Sequence, residues 1–216
     1  MKKLVIFDLD GTLLNTLDDL ADSANYILRK YGHPEHPVDA FRYFVGRGIR
    51  KMIEQVLPEQ NRSETYISQI VSDFMSYYEV HKEDKTTPYQ GIIPLLKELQ
   101  NRNILLAIAS NKVQEAMQPL ADHYFPEIKF AAILGSRPNI PIKPDPTIVH
   151  DILAMTGIRK DETLYVGDTA VDMQTACAAG VEKVGVLWGF RTLEELQNSG
   201  ADHIIKYPEE LLNYIV

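Results

Sequence analysis

The chain has 216 residues, of which 22 are basic and 30 acidic, so its formal net charge is −8. The length suits one large domain or one domain with an insertion, and the composition is that of a globular protein. The acidic balance argues against broad binding to nucleic acid or to an anionic membrane, whereas a small anionic substrate needs only a few local positive groups.

The first predicted element is a buried strand, Leu4–Phe7, which leads into two aspartates, Asp8 and Asp10. The apolar run is too short for a signal peptide. Because side chains alternate along a strand, the two carboxylates should emerge side by side where the strand ends. Adjacent carboxylates repel each other and are costly to desolvate. A divalent cation, or a division of labour between a nucleophile and an acid/base, would explain the pair.

A long stretch without a convincing strand follows, and its amphipathic segments predict helices at Leu17–Tyr31, Val38–Leu57 and Ser63–His81. Such a stretch, inserted after the first strand, indicates a separate small bundle. We therefore expect a helical cap at residues 15–85, inserted into a catalytic core formed by residues 1–14 and 86–216.

Strands and helices alternate after the insert. The predicted strands are Ile104–Ala109, Phe130–Leu134, Leu164–Val166, Val184–Leu187 and, more weakly, His203–Ile205. The predicted helices are Gly91–Asn101, Lys112–His123, Asp145–Met155 and Thr169–Ala179. This alternation predicts an α/β fold with a Rossmann-like parallel sheet covered on both faces. In such sheets the ligand site lies beyond the carboxyl ends of the strands.

The strand predicted at Ile104–Ala109 is followed by a hydroxyl and an amide, Ser110 and Asn111. These groups suit the oxygens of a bound anion. The alternative is that they cap the next helix, and spacing alone favours this alternative. The two roles are compatible, because a helix N-terminus itself attracts anions.

A lysine lies between an apolar residue and two prolines, in Ile142-Lys143-Pro144-Asp145-Pro146. Pro144 favours an extended backbone at Lys143, and Pro146 suits the first turn of a helix. Lys143 is therefore a candidate for a fixed positive charge facing a phosphoryl group and Asp8. The alternative is a solvated lysine in a loop.

Two more carboxylates follow the strand predicted at Leu164–Val166, namely Asp168 and, four residues on, Asp172. Residues four apart share a helix face, so both can point at one location. The alternative is an N-cap role for Asp168 and a solvated Asp172.

The single cysteine, Cys177, lies in the same helix and is expected to be a small buried hydrophobe. One cysteine permits no internal disulfide, which favours a reducing cytoplasm.

These strand ends predict one shared site with four carboxylates, a lysine, a hydroxyl and an amide. Oxygen-rich ligation points to a hard cation, for which Mg²⁺ is the leading candidate. The chain has no GxxxxGK[ST] and no GxGxxG after a strand, so we expect no ATP or dinucleotide site. It also lacks the roughly 20 consecutive apolar residues of a membrane span.

Four motifs follow one another along the chain, namely Asp8-Leu9-Asp10-Gly11-Thr12, Ser110-Asn111, Lys143-Pro144 and Gly167-Asp168-x-x-x-Asp172. Together, and in this order, they resemble the motifs of the haloacid dehalogenase-like hydrolase superfamily. The helical insert after the first motif is similar to the C1 cap of that superfamily.

The resemblance implies a phosphoryl transferase in which Asp8 is the nucleophile and Asp10 the acid/base. It also implies Mg²⁺ bound by Asp8, the backbone carbonyl of Asp10 and Asp168. Dehalogenases of the superfamily lack an acid/base at the position of Asp10, because halide leaves without a proton. The presence of Asp10 therefore argues against a dehalogenase.

The resemblance assigns further residues to the phosphoryl oxygens and to support. Lys143 is expected to assist catalysis, and Gly11, Ser110 and Asn111 are expected to bind the substrate. Asp172 would orient Lys143 or the waters of the metal, and Thr12 would shape the turn.

The substrate should be recognised in the cap, where Arg47 lies between two glycines in Val45-Gly46-Arg47-Gly48. This pattern resembles that of phosphoglycolate phosphatases, whose substrate pairs a phosphate with a carboxylate. A guanidinium suits carboxylate recognition. The alternative is a solvated basic face with Arg50 and Lys51. Asn15 departs from the aspartate that is frequent at this position in the superfamily.

The leading hypothesis is therefore a Mg²⁺-dependent phosphomonoester hydrolase in the cytoplasm, acting on a small phosphorylated metabolite, with phosphoglycolate as the first candidate. Pyrophosphate, a nucleotide and a sugar phosphate are alternatives. A phosphomutase similar to beta-phosphoglucomutase and a non-catalytic binding protein are further hypotheses. We expect no nucleic-acid or membrane partner, and a monomer or small homo-oligomer.

Overall fold

A computed structural model describes residues 1–215. The last residue of the predicted core, Val216, lies outside the described residues. The chain divides into two compact units. One comprises Met1–Leu14 and the chain from Pro88 onward, and the other is Asn15–Thr87.

The described residues form the following strands and helices, numbered in chain order. The strands are β1 (Leu4–Phe7), β2 (Leu14–Asn15), β3 (Thr87–Pro88), β4 (Leu105–Val113), β5 (Phe130–Ser136), β6 (Thr163–Gly167), β7 (Glu182–Val186) and β8 (His203–Ile205). The helices are α1 (Leu17–Lys30), α2 (Phe41–Phe44), α3 (Ile49–Val56), α4 (Glu64–His81), α5 (Ile92–Asn101), α6 (Gln114–Tyr124), α7 (Thr147–Thr156), α8 (Ala170–Ala179) and α9 (Leu193–Asn198).

The first unit contains a six-stranded sheet in the order β5-β4-β1-β6-β7-β8. All neighbouring strands run parallel. The first strand, β1, lies inside the sheet, with Ile6 opposite Ala107 on one side and Tyr165 on the other. The prediction of an α/β fold with a Rossmann-like parallel sheet is confirmed.

Helices cover the sheet on both faces, and the side chains of β1 show how the faces divide. Leu4 and Ile6 belong to one core cluster, which includes residues of α7 and α8. Val5 and Phe7 belong to the other, which includes residues of α5 and α6. Because both faces are covered, every side chain of β1 is buried, which explains the uninterrupted apolar run.

The fourth strand is longer than predicted. The sequence predicted a strand ending at Ala109 and a helix starting at Lys112. In the structure, β4 continues to Val113, which pairs with Ser136 of β5 after a register shift, and α6 starts at Gln114. Ser110 and Asn111 are therefore part of an irregular strand end, and helix capping does not explain them.

The second unit, Asn15–Thr87, is helical. The single segment predicted at Val38–Leu57 is wrong, because the chain forms a 3-10 turn, then α2, and restarts as α3 after Gly48. Inside the unit, the buried carboxylate of Asp19 in α1 accepts hydrogen bonds from the backbone N–H groups of Lys85 and Thr86, at 2.9 and 2.8 Å. The Thr86 hydroxyl donates a third bond, at 2.7 Å. Asp19 thereby joins the start of α1 to the end of the unit.

The expectation that Cys177 is buried is wrong, because its side chain is exposed. In α8, Ala176 and Ala179 are the residues buried against the core. Successive residues of a helix are about 100° apart, so the residue after Ala176 is turned away from the sheet.

No helix among residues 1–215 is long and apolar enough to cross a membrane.

Candidate active site

Three carboxylates meet at the carboxyl ends of β1 and β6. Asp8 follows β1, Asp168 follows β6, and Asp172 lies in the first turn of α8. One oxygen from each residue lies within 4.8 Å of an oxygen of each of the others, and all three residues are buried. The structure therefore brings three of the four predicted carboxylates into one cluster.

The ammonium of Lys143 lies inside this cluster, and its side chain is 1% exposed. Its Nζ is 2.9 Å from Asp8 Oδ1 and 2.7 Å from Asp172 Oδ1, and it donates to the Ala109 carbonyl oxygen at 2.9 Å. Burial works against the charged form, but Asp172 and Asp8 outweigh it and hold the pKa of Lys143 well above its usual range. The alternative of a solvated loop lysine is therefore wrong.

Two neighbours fix Lys143 in place. The Asn111 side chain accepts from the Lys143 backbone N–H at 2.9 Å and donates to the Lys143 carbonyl oxygen at 3.0 Å. The Tyr165 hydroxyl lies 3.2 Å from Lys143 Nζ and donates to Asp172 Oδ1 at 3.2 Å. Asn111 thus fixes the backbone of Lys143 by two hydrogen bonds, and the Tyr165 hydroxyl contacts its ammonium.

Asp172 is held from two sides. Its Oδ2 accepts hydrogen bonds from the Thr169 backbone N–H at 3.1 Å and from the Thr169 hydroxyl at 2.6 Å, while Oδ1 faces Lys143. Thr169 is the N-cap of α8 and forms a capping box with Asp172. The alternatives of an N-cap role for Asp168 and a solvated Asp172 are therefore both wrong.

The electrostatics of the cluster fit a bound cation. Burial raises the pKa of Asp8 well above its usual range, Asp172 raises it further, and Lys143 opposes both. Burial and the neighbouring Asp172 raise the pKa of Asp168 to about 7, against hydrogen bonds from Phe190 and Thr12. Lys143 supplies one positive charge to three carboxylates. A divalent metal ion would relieve the remaining repulsion, and carboxylate oxygens suit a hard cation.

Asp10 is not among the three clustered carboxylates, and its partner is a second buried lysine, Lys112. The Nζ of Lys112 lies 3.1 and 3.3 Å from the two oxygens of Asp10, and the Lys112 side chain is 3% exposed. Ser110 Oγ accepts from the Lys112 backbone N–H at 3.2 Å. No role was predicted for Lys112, although a lysine directly after two polar residues at a strand end was a signal in the sequence.

The turn after Asp10 packs against Asp168. The Thr12 hydroxyl donates to Asp168 Oδ1 at 3.0 Å. The backbone N–H of Gly11 donates to the Leu14 carbonyl oxygen at 2.8 Å. A Cβ at Gly11 would lie 2.4 Å from Asp168 Oδ2, so only glycine fits here.

Arg47 lies in the helical unit, in the loop between α2 and α3. Its side chain is exposed and forms no hydrogen bond or ion pair with any residue among 1–215. The neighbouring basic residues differ, because Arg50 pairs with Glu64 and Lys51 with Glu54. Of the three predicted basic residues, Arg47 is therefore the one whose guanidinium has no partner among the described residues.

Comparison with a protein-family model gives a match to the haloacid dehalogenase-like hydrolases over residues 5–186. That range contains all four motifs. It also contains both lysines of the site and the helical unit.

Curated relatives are similar over most of the chain. A phosphoglycolate phosphatase from Mesorhizobium japonicum is 34% identical over 191 residues, which is 88% of this chain and 84% of that protein. A phosphoglycolate phosphatase from Aquifex aeolicus is 30% identical over 218 residues, which is 99% of both chains. Among solved structures, a protein from Lactobacillus delbrueckii, provisionally assigned as a phosphoglycolate phosphatase, has a TM-score of 0.94 and 32% identity. The match covers 100% of this chain and 99% of that one.

Proposed function

The chain belongs to the haloacid dehalogenase-like hydrolases and is a phosphatase, and we propose that it is a Mg²⁺-dependent phosphomonoesterase acting through an aspartyl-phosphate on Asp8. One observation carries this proposal. Asp8 is a buried carboxylate with Lys143 2.9 Å from one oxygen and the carboxylate of Asp168 beside it. A nucleophile, a fixed cation and metal-ligand oxygens therefore meet at one point.

Asp8 is oriented for attack by its neighbours. Its Oδ1 accepts from the Leu9 backbone N–H at 2.7 Å and faces Lys143, which leaves Oδ2 for the phosphorus atom. Attack forms the Oδ2–P bond and breaks the bond from phosphorus to the ester oxygen, which Asp10 protonates. Asp10 then takes a proton from water, and the water oxygen attacks phosphorus to release phosphate and free Asp8.

Lys143 would hold the phosphoryl oxygens, together with Ser110. Asn111 and Asp172 serve this step indirectly, because they fix the backbone and the ammonium of Lys143. Asp8, Asp168 and the backbone carbonyl of Asp10 would hold Mg²⁺. When bound, Mg²⁺ offsets the repulsion between a carboxylate nucleophile and an anionic phosphoryl group.

The mechanism is tested by replacing the nucleophile. We expect Asp8→Asn to lower kcat for p-nitrophenyl phosphate by about 1000-fold or more, because the amide cannot form the covalent intermediate. A chelator should abolish activity of the natural chain, and added Mg²⁺ should restore it. Asp22→Asn, at an exposed position of α1, is the control and should keep the natural rate. Near-natural turnover by Asp8→Asn would overturn the covalent mechanism.

Phosphoglycolate is the first candidate among small phosphate esters. The relatives reported above are named for it. The exposed Arg47, which has no partner among residues 1–215 and is flanked by glycines with φ of 116° and 80°, suits a substrate carboxylate. The chain has a single cysteine and so permits no internal disulfide, which agrees with a cytoplasmic enzyme that acts on such a metabolite.

Substitution of Arg47 tests this assignment. We expect Arg47→Ala to lower kcat/KM for phosphoglycolate by about 10-fold or more, the effect of losing one charged hydrogen bond. Turnover of p-nitrophenyl phosphate, which lacks a carboxylate, should change little. Arg50→Ala is the matched control, because Arg50 is already paired with Glu64. Equal losses on both substrates would exclude the recognition role.

A further inference from the structure

We propose that the segment Trp188–Phe190, called here the post-β7 loop, is a positioning element of the metal site that fixes Asp168 before a metal ion arrives. The four motifs do not include this segment. The inference rests on the metal-dependent function proposed above, and it assigns a task to residues outside the catalytic set.

The post-β7 loop takes part in holding both oxygens of Asp168. The Phe190 backbone N–H donates to Asp168 Oδ2 at 2.8 Å. The other oxygen, Oδ1, accepts from the Thr12 hydroxyl at 3.0 Å. The Trp188 indole N–H in turn donates to the Thr12 carbonyl oxygen at 2.9 Å. Trp188 and Phe190 thus act on the same carboxylate, one through Thr12 and the other directly.

Between these two residues, Gly189 packs directly on the site. A Cβ at Gly189 would lie 2.3 Å from Asp168 Cβ and 2.4 Å from the Gly11 carbonyl oxygen. A Cβ at Gly11 would likewise lie 2.4 Å from Asp168 Oδ2. Asp168 is therefore in close contact with the backbones of two glycines, so its carboxylate has little room to change rotamer.

The post-β7 loop is anchored at both ends. Before it, the Leu187 backbone N–H donates to the Ile205 carbonyl oxygen of β8 at 3.0 Å. After it, Arg191 pairs with Glu195 at 3.2 Å. Glu195 also accepts from the Ala170 backbone N–H at 3.2 Å, at the start of α8. The loop is therefore braced against the same helix that carries Asp172.

A ligand held in its binding geometry loses less conformational freedom when the ion binds, so such supporting contacts raise metal affinity. Removing them should weaken Mg²⁺ binding while leaving all proposed metal ligands in place. Supporting residues of this kind are typically worth about 10- to 100-fold in metal affinity.

The test is calorimetric titration of the full-length, substrate-free chain with MgCl₂. We expect Gly189→Ala to raise the Kd for Mg²⁺ by about 10-fold or more, because the added methyl group displaces Asp168. Trp188→Phe keeps an aromatic ring but removes the N–H donor, and it should raise the Kd by about 3-fold or more. Tyr207→Phe, at an exposed position, is the matched control and should leave the Kd unchanged.

A second readout comes from the chain itself, because Trp188 is its single tryptophan. In the natural chain, MgCl₂ should change the Trp188 fluorescence little, because the indole N–H already donates to Thr12 before the ion binds. A thermal unfolding curve recorded in EDTA will show whether each variant is folded. If Gly189→Ala does not fold, the Mg²⁺ affinity of Trp188→Phe tests the positioning role of the loop.

The outcomes separate this inference from the proposed function. If the natural chain binds no Mg²⁺, the proposed metal-dependent function fails. If the natural chain binds Mg²⁺ and the folded variants bind it equally well, the positioning role of the post-β7 loop is overturned. A large change in Trp188 emission on Mg²⁺ binding would also contradict it, because the loop would then be repositioned by the ion.

Discussion

At the scale of single residues, the protonation of Asp168 bears directly on the proposed binding of a metal ion. Burial and the nearby Asp172 raise its pKa from 3.8 to about 7 in the metal-free chain. Near neutral pH, a proton and a divalent ion therefore compete for the same oxygens.

This competition predicts a pH-dependent affinity for Mg²⁺. As the pH falls below about 7, the apparent Kd should rise by up to about 10-fold per pH unit, because one proton must leave before the ion binds. Calorimetry at pH 6 and pH 8 measures this. Buffers of different ionisation enthalpy report the released proton, and equal affinities at both pH values would contradict the prediction.

The same pKa has a consequence for stability. Because the folded-state pKa lies above the unfolded value, protonated Asp168 contributes stability that is fully present below about pH 4. That stability is lost as the pH rises through about 7. Mg²⁺ should therefore raise the melting temperature more at pH 8 than at pH 6.

Much of the site follows from the sequence, because carboxylates at the ends of adjacent parallel strands must converge. This reasoning brought Asp8 and Asp168 together. The pairing of Lys112 with Asp10 could not be derived in the same way. It depends on the irregular extension of β4, which decides the direction of each side chain from Ser110 to Val113. A register shift of that kind leaves no pattern in the sequence.

At the scale of secondary-structure elements, the helical unit depends on one buried carboxylate. Asp19 in the first turn of α1 is 2% exposed and accepts three hydrogen bonds from Lys85 and Thr86. Without this side chain, two backbone N–H groups at the end of the unit lose their partner. Unpaired buried donors are costly.

We therefore expect Asp19→Ala to lower the free energy of unfolding by about 2 to 4 kcal/mol. Urea denaturation followed by far-UV circular dichroism measures this. Asp22→Ala is a close control, because Asp22 lies in the same helix and pairs with Lys85 at an exposed position. Its midpoint should match that of the natural chain. If Asp19→Ala unfolds at the same urea concentration as the natural chain, the hydrogen bonds of Asp19 contribute nothing net to the free energy of unfolding.

The interruption between α2 and α3 shows why an element boundary was missed. The apolar positions of Val38–Leu57 fit a helical period, and this period predicted one helix. Helix α2 ends at Phe44 because Val45 has an extended backbone, and the two glycines that flank Arg47 have positive φ, so the helix does not continue through them. A glycine costs about 1 kcal/mol in a helix, so two of them close together outweigh a weak amphipathic pattern.

At the scale of the whole molecule, the proposed metal ligands and the single tryptophan lie in the same unit. Asp8, Asp168 and Trp188 all belong to the unit with the parallel sheet. Trp188 emission therefore reports the unfolding of the unit that contains the proposed metal ligands.

We expect Mg²⁺ at 100 times its Kd to stabilise this unit by about 2.7 kcal/mol. The urea midpoint measured from Trp188 emission should rise accordingly. In Asp168→Asn, Mg²⁺ should leave the midpoint unchanged, because a ligand is lost. A natural chain whose midpoint does not respond to saturating Mg²⁺ would contradict the placement of the metal in this unit.

The central position of β1 has a consequence for biosynthesis. This strand is synthesised before both of its partners in the sheet, β4 and β6, and the bonded pair Thr12 and Asp168 is 156 residues apart. Asp8 therefore stays without its partners Lys143 and Asp168 until late in translation, while the contacts within Asn15–Thr87 are available earlier. Because distant pairings form slowly, we expect the carboxylate cluster to form after the helical unit.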